Sequence, residues 1–201
     1  MGRNGKVVID DIIYIRDKIE KNLAGKELNA FIDSCAKELA GRLLSKVVKR
    51  TPVGKKPELK KGEKATFKVK GASGKTRSFL TADAERIQRY WSGYKGGTLR
   101  RGWTGGKDIN ASEIKGYANS LNVQHIGGNY NITITNPVEY ASYVEYGHRQ
   151  TPGRYVPQLG RRLKKGWIEG KFMLTDSEDE LRREAPKALE NKLKKKLEEI
   201  F

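Results

Sequence analysis

The chain is short of the residues around which most catalytic and secreted proteins are built. It has one cysteine, Cys35, so no intramolecular disulfide can form and a reducing compartment is expected. The only histidines, His125 and His148, are far apart and complete no ligand set with that thiol, which argues against a His/Cys metal centre. No apolar run reaches the length of a membrane span, and the N-terminus lacks the uninterrupted apolar stretch of a secretory signal. Synthesis in the cytosol and no membrane partner are therefore expected. The sequons Asn110-Ala-Ser112 and Asn131-Ile-Thr133 carry no weight without secretion. Hydrophobic residues make up 36% of the 201 and mean hydropathy is −0.73. Those values predict a modest core with much of the chain exposed, or ordered only against partners. The length suits a single domain, 1–201, carrying an insertion or arms.

Acidic residues are also scarce: 24 Asp+Glu face 41 Lys+Arg, a net +17. A partner bearing phosphates, or an acidic protein surface, suits that balance. The excess is concentrated. Residues 46–77 hold twelve Lys or Arg against Glu58 and Glu63, and residues 149–171 hold seven against Glu169.

Periodicity predicts a short helix over 10–23, with Ile12, Ile15 and Ile19 near helical spacing, then a long one over 27–50. In the second, Phe31, Ile32, Cys35, Ala36, Leu39, Ala40, Leu43 and Val47 form an apolar stripe. Lys46, Lys49 and Arg50 suit the negative end of its dipole, and Thr51-Pro52 stops it. A basic inserted hairpin and helix is expected over 55–96: "TFKVK" and "KTRSFL" as paired strands, then a helix from "TADAERIQRYW" with Thr81 as N-cap. Strands are expected in "TLRRGWT", "YANSLNVQHI" and "YNITITN", the last two joined by a turn at Gly127-Gly128-Asn129. A short helix follows over 138–147, then an extended basic arm over 148–175. A C-terminal helix over 176–201 has Leu181, Ala185, Leu189, Leu193, Leu197 and Ile200 as its stripe, and Pro186 should kink it or mark its start.

The chemistry-bearing patterns are thin. Gly74-Lys75-Thr76 looks like the end of a phosphate-binding loop, but the required upstream glycine is Val69 and the backbone cradle is incomplete. Cys35 on an apolar stripe reads as a small buried hydrophobe. Glu139, Glu145 and His148 are the best acid/base set, yet on a helix the two carboxylates fall on different faces. The alternative is a helix that packs Tyr140, Tyr143, Val144 and Gly147 while its carboxylates are solvated or salt-bridged, with His148 in a turn beyond it. No catalytic residue, cofactor or metal is assigned, and no enzyme activity is expected. Aromatics alternate with basic residues in "RIQRYWSGYKGGTLRRGW", without a helix-turn-helix, zinc or RNA-recognition signature.

An ordered set of pieces carries a resemblance: "KRTPVG" (49–54), "GTLRRGW" (97–103), "YANSLNV" (117–123), "YNITITNPVEYASYVEYGHR" (130–149) and "GWIEGKFML" (166–174), followed by a Leu/Lys/Glu helix. It is similar to the tailed-phage minor tail and tail-completion proteins of the neck, especially those of contractile-tailed phages and phage-like particles. The resemblance covers 27–54 and 97–201; the 55–96 insertion departs from it. It implies an α+β fold, a small antiparallel sheet flanked by a long N-terminal and a C-terminal helix. It also implies a virion structural protein without enzymatic activity, forming a ring, commonly hexameric, at the head-proximal end of the tail tube. Such a tail terminator or head–tail joining ring ends tube growth and docks the neck. Implied partners are other copies of the chain, the tube protein, a sheath protein and neck or head-connector proteins, with non-specific contact to genomic DNA in the channel.

On this reading Arg100, Arg101 and Trp103 belong to a strand edge that meets another chain. Tyr140, Tyr143, His148 and Arg149 are further interface candidates. Tyr155, Leu159, Trp167, Ile168, Phe172 and Met173 are interface-type residues among the charges, and favour protein over DNA contact for 149–171. Lys55, Lys56, Lys60, Lys61 and Lys64 would face the DNA lumen or a partner. The rival expectation is a basic nucleic-acid-binding module without sequence preference.

Overall fold

A computed structural model describes residues 5–6, 25–57, 66–70, 74–80 and 82–199; the expected helix over 10–23, Thr81, Lys60, Lys61 and Lys64 lie outside them. The described helices are α1 (Lys26–Arg50), α2 (Ala82–Tyr90), α3 (Thr98–Gly102), α4 (Ile114–Asn119), α5 (Ala141–Tyr146) and α6 (Met173–Glu198). The described strands are β1 (Gly5–Lys6), β2 (Thr66–Lys70), β3 (Thr76–Leu80), β4 (Gln124–Ile126), β5 (Asn129–Asn131), β6 (Thr133–Ile134), β7 (Gly147–Arg149), β8 (Tyr155–Val156), β9 (Arg161–Arg162) and β10 (Trp167–Glu169). They pair as five antiparallel two-stranded ladders: β1 with β6, β2 with β3, β4 with β5, β7 with β10, β8 with β9. The fold is α+β, with small ladders among the described residues.

The chain divides into two compact units. The first takes the described residues of Met1–Pro52, Thr98–Tyr146 and Gly170–Phe201; the second takes those of Val53–Gly97 and Gly147–Glu169.

In the first unit the apolar stripe of α1 is the core. All eight expected residues are buried, together with Leu28 and Leu44. Against them pack Leu99, Trp103, Ile114, Ala118, Ile132, Ile134, Met173, Leu181, Ala185 and Leu189. Gly41 permits the close approach of α4, since a Cβ there would stand 3.3 Å from that of Ala118. Helix α6 lies along α1 with charge flanking the apolar seam. Lys46 donates to Glu180 at 2.6 Å and to Glu184 at 2.9 Å, Arg50 reaches Glu180 and Ser177, and Lys192 pairs with Glu38 at 3.1 Å. Cations near the C-terminal end of α1 thus meet carboxylates near the N-terminal end of α6, a pairing both helix dipoles favour. Helix α6 runs through Pro186, so the proline does not mark its start. Its side of the helix is exposed.

Three expectations are corrected in this unit. "TLRRGWT" is helix α3 and a turn, not a strand. Leu99, Gly102 and Trp103 are buried at three- and four-residue spacing, a helical period that a seven-residue window cannot separate from alternation. Consequently Trp103 belongs to the core at 5% exposure and not to a strand edge, and Met173 is fully buried. "YANSLNVQHI" is strand only at Gln124–Ile126, after helix α4 has taken its first residues. The β4–β5 turn does form at Gly127-Gly128, whose φ values of 57° and 80° suit a tight hairpin.

The second unit contains the expected basic hairpin β2–β3, paired from Thr66↔Leu80 through Lys70↔Thr76, and helix α2. The expected extended arm is instead a folded-back ribbon. Gly147↔Glu169 through Arg149↔Trp167 pair in β7 and β10. The pairing continues through Gln150 N to Gly166 O at 2.9 Å, Gly153 N to Leu163 O and Leu163 N to Arg154 O, each 2.8 Å, into β8 and β9. Register shifts by one residue between Gly153 and Tyr155, as at a β-bulge. The ribbon's tip is tied down within the unit, where the Trp91 indole N–H donates to Gln158 O at 2.8 Å. Polar residues and glycines hide this hairpin in the sequence, because its pairing is made by backbone and its strands show no clear alternation.

Glu180 generates a pH prediction. Hydrogen bonds from Lys46, then Arg50, hold its carboxyl down at about 2, with burial opposing. A depressed carboxyl stabilises the fold above its unfolded value, and that contribution is lost as pH falls through the folded value. Melting temperature should therefore drop between pH about 4.5 and about 2. Glu180→Gln should flatten that drop, and an unchanged acid limb in scanning calorimetry would reject the assignment. For the seam itself, Leu44→Ala at a fully buried position should cost about 2–5 kcal/mol of unfolding free energy in urea titration.

Candidate functional site

Four of the five sequence pieces that carry the resemblance contribute residues to one joint in the first unit. Thr51, closing α1, is fully buried. Its hydroxyl donates to Val47 O at 2.6 Å and accepts the Trp103 indole N–H at 2.9 Å. Its carbonyl accepts from Arg100 Nη2 at 2.9 Å. The Asn136 amide donates to Leu99 O at 2.8 Å and accepts from Val138 N at 3.2 Å. A Cβ on Gly102 would collide with that amide, so glycine is required beside it. "RTP", "GTLRRGW" and "NPVEY" are thus three sides of one packed corner.

The next side is Glu145. Residues 138–147 are expected to pack a tyrosine face and to leave their carboxylates solvated or salt-bridged, and the structure corrects both parts of that expectation for the tyrosines and Glu145. Tyr140 and Tyr143 are exposed, while Glu145 is 5% exposed. Its Oε2 accepts from Leu174 N at 3.0 Å; its Oε1 accepts from Thr175 N at 2.9 Å and from the Thr175 hydroxyl at 2.8 Å. Leu174 and Thr175 are the second and third residues of α6, whose first-turn N–H groups have no partner within the helix. The residue before the helix, Phe172, sits at φ 46° and supplies no side-chain cap. Glu145 does so from 29 positions away, placing a negative charge at the positive end of the dipole. Backbone bonds flank it: Lys171 N to Val144 O at 2.8 Å and Phe172 N to Glu145 O at 3.0 Å. Gly170 makes room for this approach, since a Cβ there would come within 2.7 Å of the Tyr146 carbonyl carbon.

This geometry takes the acid/base set apart. Both oxygens of Glu145 are engaged by α6, Glu139 is exposed, and His148, half-buried in β7 opposite Ile168, contacts the Gln150 side chain at 3.2 Å. Burial pushes the Cys35 thiol up to about 11, so it is protonated and unreactive at neutral pH. Among the described residues no group of three His, Cys, Asp or Glu gathers for a metal, and no helix is long and apolar enough to cross a membrane. The interface candidates separate by burial. Tyr140, Tyr143, Arg149, Tyr155, Trp167 and Phe172 are exposed, Arg100, Arg101 and His148 are half-buried, and Trp103 and Met173 are inside. Lys55 and Lys56 are exposed. The capping role of Glu145 leaves no local signal, because its donors lie beyond the whole ribbon. "EGKFMLTDSED", which lacks a side-chain cap at the helix start, is its only trace in the sequence.

Glu145→Ala should strip α6 of its cap and leave part-buried donors unsatisfied, at about 1–3 kcal/mol. Urea titration measures the loss, and amide hydrogen exchange should quicken first at Leu174 and Thr175. Wild-type protection at those two amides in the variant would exclude the capping role.

No curated protein and no solved structure matches the chain. A family model described as "Bacteriophage HK97-gp10, putative tail-component" matches residues 15–147, about two thirds of the sequence. The match takes in Thr51, the α3 corner, Asn136 and Glu145, and stops at the first residue of the ribbon. The chain belongs to this HK97-gp10-like family of phage tail components.

Proposed function

We propose that the chain is a structural subunit of a phage or phage-like tail that forms a ring, six copies in number, at the head-proximal end of the tail tube. In that place it ends tube growth and presents a docking surface to the neck and head-connector proteins, with the tube protein and a contractile sheath as further neighbours. Its work is geometric: a heterologous contact, one patch against a different patch on the next copy, closes by cyclic rotation.

The observation that carries this reading is the exposure of large aromatic side chains on a chain of low hydropathy. Tyr143 is 60% and Trp167 51% exposed, and Tyr140, Tyr146, Tyr155 and Phe172 also face outward. Tyrosine, tryptophan and phenylalanine are enriched where proteins meet, and burying them against neighbours adds stability that the isolated chain lacks. The interface candidates narrow accordingly to Tyr140, Tyr143 and Phe172 in the first unit and to Arg149, Tyr155 and Trp167 in the second. Trp103 and Met173 serve it only by holding the first unit together.

The purified chain is expected to elute as a closed oligomer by light scattering and to appear as rings in negative stain. Added to polymerising tube protein, it should shorten the tubes. Tyr143→Ser combined with Trp167→Ser should shift the mass toward monomer with an unchanged circular dichroism spectrum. A wild-type chain that stays monomeric alone and with tube protein, and leaves tube length unaltered, rejects the proposal.

A further inference from the structure

The positive charge belongs to one unit. Val53–Gly97 and Gly147–Glu169 together hold 18 Lys or Arg against 5 Asp or Glu, a net +13 in 68 residues; the other 133 residues hold 23 against 19, a net +4. The difference extends to how the charges are used. Ion pairs such as Lys46–Glu180, Arg50–Glu180 and Lys192–Glu38 knit the first unit together. In the second, Arg149, Arg154, Arg161, Arg162, Lys164 and Lys165 are exposed along the ribbon. Lys70, Lys75 and Arg77 are exposed on the β2–β3 hairpin, and Lys95 after α2. One ribbon cation, Arg162, turns its side chain to the fold, donating to Gly153 O at 2.7 Å.

From this segregation we infer that the second unit binds the phosphate backbone of duplex DNA without reading its sequence. Like charges crowded at +13 repel one another and are relieved by a partner carrying many regularly spaced negative charges. An acidic protein is the competing partner, and composition decides against it. Eleven of the 18 cations are lysine, which is depleted from protein–protein interfaces but serves phosphate well. Of the apolar residues that favour a protein partner for 149–171, Tyr155, Leu159 and Trp167 stay exposed in the second unit, among six exposed cations, while Phe172 and Met173 belong to the first unit. Cations occur on the ribbon, on the β2–β3 hairpin and beyond α2, a spread that suits backbone contact rather than base readout by one element. The inference rests on the tail reading only for where DNA is encountered; the binding itself stands on the charge distribution.

Fluorescence anisotropy with a labelled duplex of about 30 base pairs, titrated with the full chain between about 50 and 200 mM KCl, tests it. Two unrelated sequences should bind alike, with affinity falling steeply and linearly on a log–log plot against salt. Arg161→Gln, Lys164→Gln and Lys165→Gln together should weaken binding about tenfold or more and make the slope shallower by about 0.9 for each phosphate no longer neutralised. Arg183→Gln, Lys187→Gln and Lys194→Gln, exposed on α6, should stay within about twofold of wild type, as a control for net charge alone. Equal losses in the two triple variants, absence of duplex binding, or polyglutamate displacing the duplex at lower charge concentration than competitor DNA would each overturn the inference. The outcomes separate from those of the ring. A ring that ignores DNA rejects this inference and keeps the tail reading, whereas a monomer that binds DNA does the reverse.

Discussion

The first unit depends on a carboxylate at the start of its last helix. Glu145 satisfies two N–H groups that α6 cannot satisfy itself, and in doing so it fixes which residue is second and which is third in that helix. The phase of the whole helix follows. With Leu174 and Thr175 turned to Glu145, Met173, Ser177, Leu181, Ala185 and Leu189 are buried, and Glu180 meets Lys46 and Arg50. A helix out of phase by one residue would rotate about 100° and take those side chains off the seam. One local interaction therefore sets the register of the longest packing surface in the unit. The residue at the helix start, held in a left-handed conformation at Phe172, supplies no side-chain cap that could replace it.

Charge is arranged on opposite principles in the two units. In the first, acids and bases are matched across the α1–α6 seam, where each exposed pair contributes modestly and the set as a whole opposes sliding of one helix along the other. Glu38 illustrates the balance: burial pushes its carboxyl up, yet hydrogen bonds from Arg42 and Lys192 outweigh that and hold it below the usual range. In the second unit the cations outnumber the acids 18 to 5. Its folding is carried by backbone ladders and by aromatic packing such as Trp91 against Tyr94, ring centroids 4.6 Å apart. Aromatic contacts and ladders tolerate a field of one sign because they do not use it.

Legibility in the sequence tracks how local the determining interaction is. The α1 stripe, its stop at Thr51-Pro52, the β2–β3 hairpin and the Gly127-Gly128 turn are all readable, since each is set by residues within a few positions of one another. The α3 corner is not, because a five-residue helix shows little more than one turn of period. The ribbon escapes because its partners pair through backbone, leaving a composition that reads as a loose basic arm. Glu145 is misleading for a sharper reason. Amphipathic reasoning sends carboxylates outward and tyrosines inward, and that holds when the interior is apolar. Here the interior beside α5 presents N–H groups, so the acid is buried and Tyr143 is left outside. The burial of Trp103 follows similarly from Thr51, a hydroxyl placed to receive the indole N–H.

The boundary of the family match has a structural meaning. It ends at Gly147, so it contains the acceptor, Glu145, and omits the donors, Leu174 and Thr175. Between them lies the whole ribbon, whose chain leaves after Tyr146 and returns at Gly170, where Lys171 and Phe172 bond back to Val144 and Glu145. A segment that departs and returns through a paired stem can lengthen, shorten or change charge without displacing what the stem positions. What must persist is short: the carboxylate at 145, the absence of a side chain at 170 and the first turn of α6. The construction lets the joint carry a strongly charged excursion, and most of the chain's net positive charge lies there and in the 55–96 segment rather than in the joint itself.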